Sequence, residues 1–127
     1  DGKLILTSMI RSSIYSDKMY RARMIKTIGE KFGAKVNLSG EYPGWEKEES
    51  PLIEICQKVW KDLTGEDQTI ETTHGGLECG LLKDKMKDTE MISFGPTIEA
   101  AHSPRERFNI KSAERCFDFL KGLLKTL

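Results

Sequence analysis

Apolar residues along this chain fall into short blocks separated by polar breaks rich in Gly, Pro and Ser. Leu4 to Ile10 carries Leu, Ile, Thr and Met and predicts a strand that ends at Arg11-Ser12-Ser13. Ser16 is placed to cap the following helix, with Asp17 in the first turn, where the helix dipole favours a carboxylate. Met24, Ile25, Ile28 and Phe32 recur at helical spacing, and Gly33 supplies the stop. Ala34 to Leu38 predicts a second short strand. Such a strand-helix-strand unit of about 40 residues is too small to bury a core by itself.

Glu41-Tyr42-Pro43-Gly44-Trp45 breaks both periodicities, and the acidic stretch Glu46 to Glu49 after it is solvated, so a subdomain boundary is expected here. Trp45 is expected to pack at the joint. Ser50-Pro51 then opens a helix with a cap followed by Pro at the first helical position. Leu52, Cys56, Val59 and Leu63 form its apolar stripe, and Thr64-Gly65 ends it. Thr69 to Thr72 predicts a strand, and Leu77, Leu81 and Leu82 a short helix opening after Gly75-Gly76. Glu90 to Phe94 predicts another strand. Ser112 is placed to cap a last helix whose Cys116, Phe119, Leu120, Leu123 and Leu127 share one face. Alternating strands and helices predict an α/β fold, with helices packed on a parallel or mixed sheet.

Composition narrows the function more than the fold. The 127 residues carry 20 basic and 20 acidic side chains, a balance that argues against a general binder of nucleic acid or anionic membranes. No apolar run approaches the roughly 20 residues needed to cross a bilayer, and Leu4 to Leu6 is too short for a signal peptide. Cys56, Cys79 and Cys116 form no Cys-x-x-Cys pair; Cys56 and Cys116 read as buried thiols, which fits a reducing cytoplasm. The chain starts at Asp1 rather than Met, which is the expectation for a processed or trimmed piece.

Candidate chemistry concentrates in two places. Gly75-Gly76 allows close backbone approach before a helix start that can receive an anion, although a tight turn is the commoner meaning of two glycines there. The spacing matches neither a dinucleotide nor a Walker fingerprint. His102 follows Ala100-Ala101 on a predicted loop and precedes Ser103-Pro104. A loop imidazole can bind a metal, yet a lone histidine is usually a hydrogen-bonded loop residue, roughly three times in four. Arg11 could fork onto a carboxylate, or be a plain surface arginine. Glu71 and Glu78 flank His74, as Glu99 and Glu106 flank His102; solvated carboxylates are at least as common as reactive ones. A catalytic zinc normally takes three protein ligands, and spacing alone supplies no such set.

Thr73-His74-Gly75-Gly76-Leu77-Glu78-Cys79-Gly80, followed by Gly95-Pro96-Thr97-Ile98-Glu99-Ala100-Ala101-His102-Ser103-Pro104-Arg105-Glu106, resembles the C-terminal part of the aminoacylhistidine (Xaa-His) dipeptidases. These are carnosinase-like members of the two-zinc exopeptidases related to aminoacylase and carboxypeptidase G. Ile10-Arg11-Ser12-Ser13 and Tyr42-Pro43-Gly44-Trp45 leading to Ser50-Pro51-Leu52 agree, so the resemblance spans nearly the whole chain.

The resemblance implies that residues 1–40 are the second half of a lid domain and residues 41–127 the C-terminal part of the catalytic domain. It implies that His102 is the family's last metal ligand, that Arg11 grips the substrate carboxylate, and that Gly75 and Gly76 line the substrate pocket. Glu78 would belong to the pocket wall. The implied cofactor is zinc, two ions in the complete enzyme, with manganese or cobalt as alternatives. The implied partners are a dipeptide substrate and a second copy in a homo-oligomer, with no nucleic acid and no membrane. The remaining ligands and the general base are expected upstream of this chain, which is therefore expected to be inactive in isolation. The alternative is a small non-catalytic α/β binding or assembly module.

Overall fold

The computed structural model describes residues 2–73 and 77–127. In chain order the elements are α1 (Tyr15–Lys31), α2 (Pro51–Thr64), α3 (Glu78–Lys85), β1 (Ile98–Glu99), β2 (Arg107–Phe108) and α4 (Ile110–Thr126). Contacts divide them into two units, one of Asp1–Lys47 with Glu71–Thr89, the other of Glu48–Ile70 with Glu90–Leu127.

In the first unit α1 begins one residue before the serine expected to cap it. Ile14 takes the N-cap position without a side-chain bond, and Ser16 lies inside the first turn. Asp17 does sit in that turn, and both its carboxylate oxygens accept from Arg21 Nε at 3.0 Å, one helical turn on. The helix closes as expected: Gly33 adopts φ +78°, and the Ala34 N–H returns to the Gly29 carbonyl at 3.0 Å. Residues 34–38 pass close by, since a Cβ on Gly29 would stand 2.7 Å from Val36 Cγ2. The segment at Pro43-Gly44 presses against Ser13, whose backbone carbonyl leaves no room for a Cβ on Gly44. Gly80 of α3 is buried against the same segment, where a Cβ on it would stand 3.5 Å from Pro43 O and Trp45 Cβ.

The second unit holds a small core where α2 meets α4. Cys56, Phe119 and Leu123 are buried there, with Leu52, Ile55, Val59, Trp60 and Ile92 packed around them. Phe119 stands edge-on to Trp60 and to Phe94, with ring centroids 5.5 and 4.8 Å away. Pro51 opens α2 and Gly65, at φ +78°, closes it, both as expected. Ser50, however, makes no side-chain cap bond; Glu90 Oε2 accepts the Leu52 N–H at 3.0 Å and places a carboxylate at the helix N-terminus. Asn109, not Ser112, caps α4: its Oδ1 accepts the Ser112 N–H at 3.0 Å. Leu63, Leu120 and Leu127 belong to the expected stripes but remain exposed, and Cys116 is half-buried rather than buried.

The architecture is mixed α and β, with four helices and a two-stranded sheet among the described residues. The expected strands at residues 4–10, 34–38, 69–72 and 90–94 carry no ladder, so the strand-helix-strand reading of the first 40 residues holds for the helix only. The sheet is an antiparallel pair rather than a parallel or mixed one, with Ile98 opposite Phe108 and Glu99 opposite Arg107. A strand exists only when a neighbour accepts and donates its backbone hydrogen bonds. Apolar patterning marks where a strand can form but cannot supply that neighbour. Leu4 and Leu6 accordingly remain 85% and 87% exposed.

Candidate functional site

His102 lies on a loop, as expected, and that loop joins β1 to β2. The loop is built from its own backbone. Ala100 O accepts the Ser103 N–H at 3.2 Å and the Ser103 hydroxyl at 2.7 Å. Ser103 Oγ in turn accepts the Arg105 N–H at 3.2 Å, and Ser103 O accepts the Glu106 N–H at 3.0 Å. Pro104, with its fixed φ, sits between these bonds. At the base of the hairpin Arg107 grips Glu99 Oε2 through Nε at 2.8 Å and Nη2 at 2.5 Å. Thr97 O accepts the Asn109 N–H at 2.9 Å just below.

Ala100 (φ +52°) and His102 (φ +63°) both occupy the left-handed region without being glycine. Each such residue costs about 1–2 kcal/mol, a cost that recurs at ligand-holding loops when surrounding bonds enforce it. Here the enforcing bond is visible: the His102 N–H donates to Glu106 Oε2 at 2.6 Å. His102 is exposed, not wedged among apolar neighbours.

An imidazole of this kind fits a divalent metal as one nitrogen donor. The carboxylates beside it are engaged otherwise, Glu99 by Arg107 and Glu106 by the His102 backbone. Among the described residues no group of three or more His, Cys, Asp or Glu is placed to hold an ion. The described residues therefore bring His102 together with no such set of donors.

Arg11 belongs to the first unit, where it is exposed and its Nε lies 3.1 Å from Met9 Sδ. Gly75 and Gly76, and His74 before them, lie outside the described residues. Leu77 precedes α3 as its N-cap and Glu78 opens the helix, exposed, with Glu71 exposed upstream. The grip of Glu106 on His102 was not legible as such. The pattern hinting at it is an acidic residue four positions after a histidine across Ser-Pro, a spacing that lets a carboxylate reach back over a turn.

The model of peptidase family M20/M25/M40 matches residues 10–126. This chain belongs to peptidase family M20/M25/M40. Within the M20 group, cytosol non-specific dipeptidase from Escherichia coli (strain K12) is 36% identical over 128 residues, which cover 100% of this chain and 26% of that protein. The structure of aminoacylhistidine dipeptidase from Vibrio alginolyticus superposes with a TM-score of 0.73 at 34% identity, covering 91% of this chain and 24% of that one. The chain therefore spans about a quarter of the length of the M20 relatives it matches. The resemblance carried by the Gly-Gly and His-Ser-Pro stretches is borne out by all three. No described helix is long and apolar enough to cross a membrane.

Proposed function

We propose that this chain is the C-terminal part of a metal-dependent dipeptidase that hydrolyses Xaa-His or similar short peptides, and that it is inactive by itself. The observation that carries the reading is the exposed His102 imidazole on its braced loop, in a chain matching about a quarter of each dipeptidase relative. His102 would hold the metal, with zinc the ion we favour and two ions the complement of the complete enzyme. Bound there with its other ligands, the metal would polarise the peptide carbonyl and acidify a water. The other donors and the general base belong, on this reading, to parts of the protein outside this chain.

Arg11 would fork onto the substrate's terminal carboxylate, and Gly75 and Gly76 would let the substrate backbone approach closely. Residues 1–40 would be the second half of a lid domain and residues 41–127 the closing part of the catalytic domain. Self-association and a cytoplasmic setting complete the proposal; the first is supported by exposed apolar residues such as Leu6 and Phe32, the second by the cytosolic E. coli relative. The alternative of a non-catalytic module has less support, because the family match runs through almost the whole chain.

The test is hydrolysis of a Xaa-His dipeptide by the full-length protein carrying this segment. His102→Ala should lower both zinc content and kcat by more than about 100-fold, exceeding the usual effect of an outer-shell change. Arg11→Ala should raise KM by about 10-fold or more, the equivalent of one charge-assisted hydrogen bond. Full zinc occupancy and undiminished turnover in His102→Ala would overturn the reading.

A further inference from the structure

We propose that Glu106 is a positioning residue for His102, setting the direction of the imidazole through the backbone rather than through the ring. The inference rests on the reading of His102 as a metal donor and adds the group that aims it. Metal-bound histidines ordinarily need their orientation held, usually by a hydrogen bond to the second ring nitrogen. In this loop the hold is applied one step earlier in the chain. Glu106 Oε2 takes the His102 N–H at 2.6 Å, a short bond to a carboxylate of the stronger kind.

Three observations make that bond more than incidental. His102 sits at φ +63°, a conformation that turns its Cα–Cβ bond away from the course an extended backbone would give it. Ala100 sits at φ +52°, so two non-glycine residues of one loop need outside support. The Glu106 end is anchored independently: its own N–H donates to Ser103 O at 3.0 Å, and the next residue, Arg107, pairs with Glu99 across the hairpin. The carboxylate therefore reaches back from the fixed side of the loop to the side that carries the donor. Loss of the bond would free the His102 peptide to relax toward negative φ and swing the ring out of line.

The experiment compares Glu106→Ala, Glu106→Gln and His102→Ala by two measurements. The first is the zinc dissociation constant of the full-length protein carrying this segment, by chelator competition. Glu106→Ala is expected to weaken zinc binding about 10- to 100-fold, the range for residues that orient a ligand. Glu106→Gln keeps an oxygen acceptor and should recover most of that loss. The second is the amide resonance of His102 in the 127-residue chain, which reads the hydrogen bond with no metal present. It should lie downfield and exchange slowly in the wild type, lose both properties in Glu106→Ala and largely keep them in Glu106→Gln.

If His102→Ala weakens zinc binding and Glu106→Ala does not, the positioning role is wrong and the donor role stands. If His102→Ala leaves zinc binding unchanged, the donor reading fails and the inference falls with it. An His102 amide that is indifferent to Glu106→Ala would overturn the inference by itself.

Discussion

The Ser112 hydroxyl accepts the Thr97 backbone N–H at 2.8 Å, which ties the start of the His102 hairpin to the first turn of α4. The same oxygen donates to Asn109 O at 2.7 Å, and Asn109 Oδ1 accepts the Ser112 N–H. Ser112 is 5% exposed, so water cannot readily replace what its removal would strip away. Ser112→Ala is expected to destabilise the second unit by about 1–3 kcal/mol, the cost of a buried group left without its partner. Asn109→Ala should cost about 1 kcal/mol through the lost cap. Urea unfolding followed by circular dichroism measures both, and equal midpoints for wild type and Ser112→Ala would contradict the expectation.

Phe119 is the largest fully buried side chain among the described residues and belongs to the core where α2 meets α4. It is 1% exposed and meets both Trp60 and Phe94 edge-on. Phe119→Ala should destabilise the second unit by about 3–5 kcal/mol, from lost burial plus the cavity left behind. Leu124, on the same helix and 68% exposed, provides the control, where Leu124→Ala should change stability by no more than about 0.5 kcal/mol. Thermal melts of the two variants separate the cases.

Burial pushes the Cys56 thiol above its ordinary value of 9.0. Well below pH 9.0 the thiol is protonated in the folded and unfolded states alike, and it contributes no pH dependence. As pH rises through 9.0 the unfolded chain loses this proton while the folded chain still holds it, so stability should fall through the alkaline range. Denaturant midpoints from pH 8 upward, compared with those of Cys56→Ala, measure this contribution; the wild type should show the steeper alkaline decline. Thiol-specific labelling at neutral pH should reach the half-buried Cys79 and Cys116 before Cys56.

Helices were legible in the sequence because their evidence is local. Pro51 and Gly65 bound α2, Gly33 stops α1, and the period of Cys116, Phe119 and Leu123 marks the buried face of α4. Caps were read less well, since Glu90 acts on α2 from 38 positions away and Asn109 displaces Ser112 by three. Strands failed for a different reason: Leu4 to Ile10 and Ala34 to Leu38 have strand-like patterns, but pairing depends on partners that local patterning does not reveal. His102 stood out as a candidate donor from its motif, whereas its left-handed backbone and the carboxylate bracing it depend on three-dimensional closure of the loop. Glu99 and Glu106 looked like candidate reactive groups. In the structure one is paired with Arg107 and the other holds a backbone N–H.

On the function proposed above, His102 contributes one donor to a metal site whose other donors lie outside this chain. Isothermal titration of zinc into the purified 127-residue chain, with Xaa-His dipeptide turnover assayed on the same sample, tests it most directly. The expected result is weak binding without turnover, because one imidazole cannot replace a full ligand set. Two tightly held ions, together with turnover that disappears in His102→Ala, would contradict it.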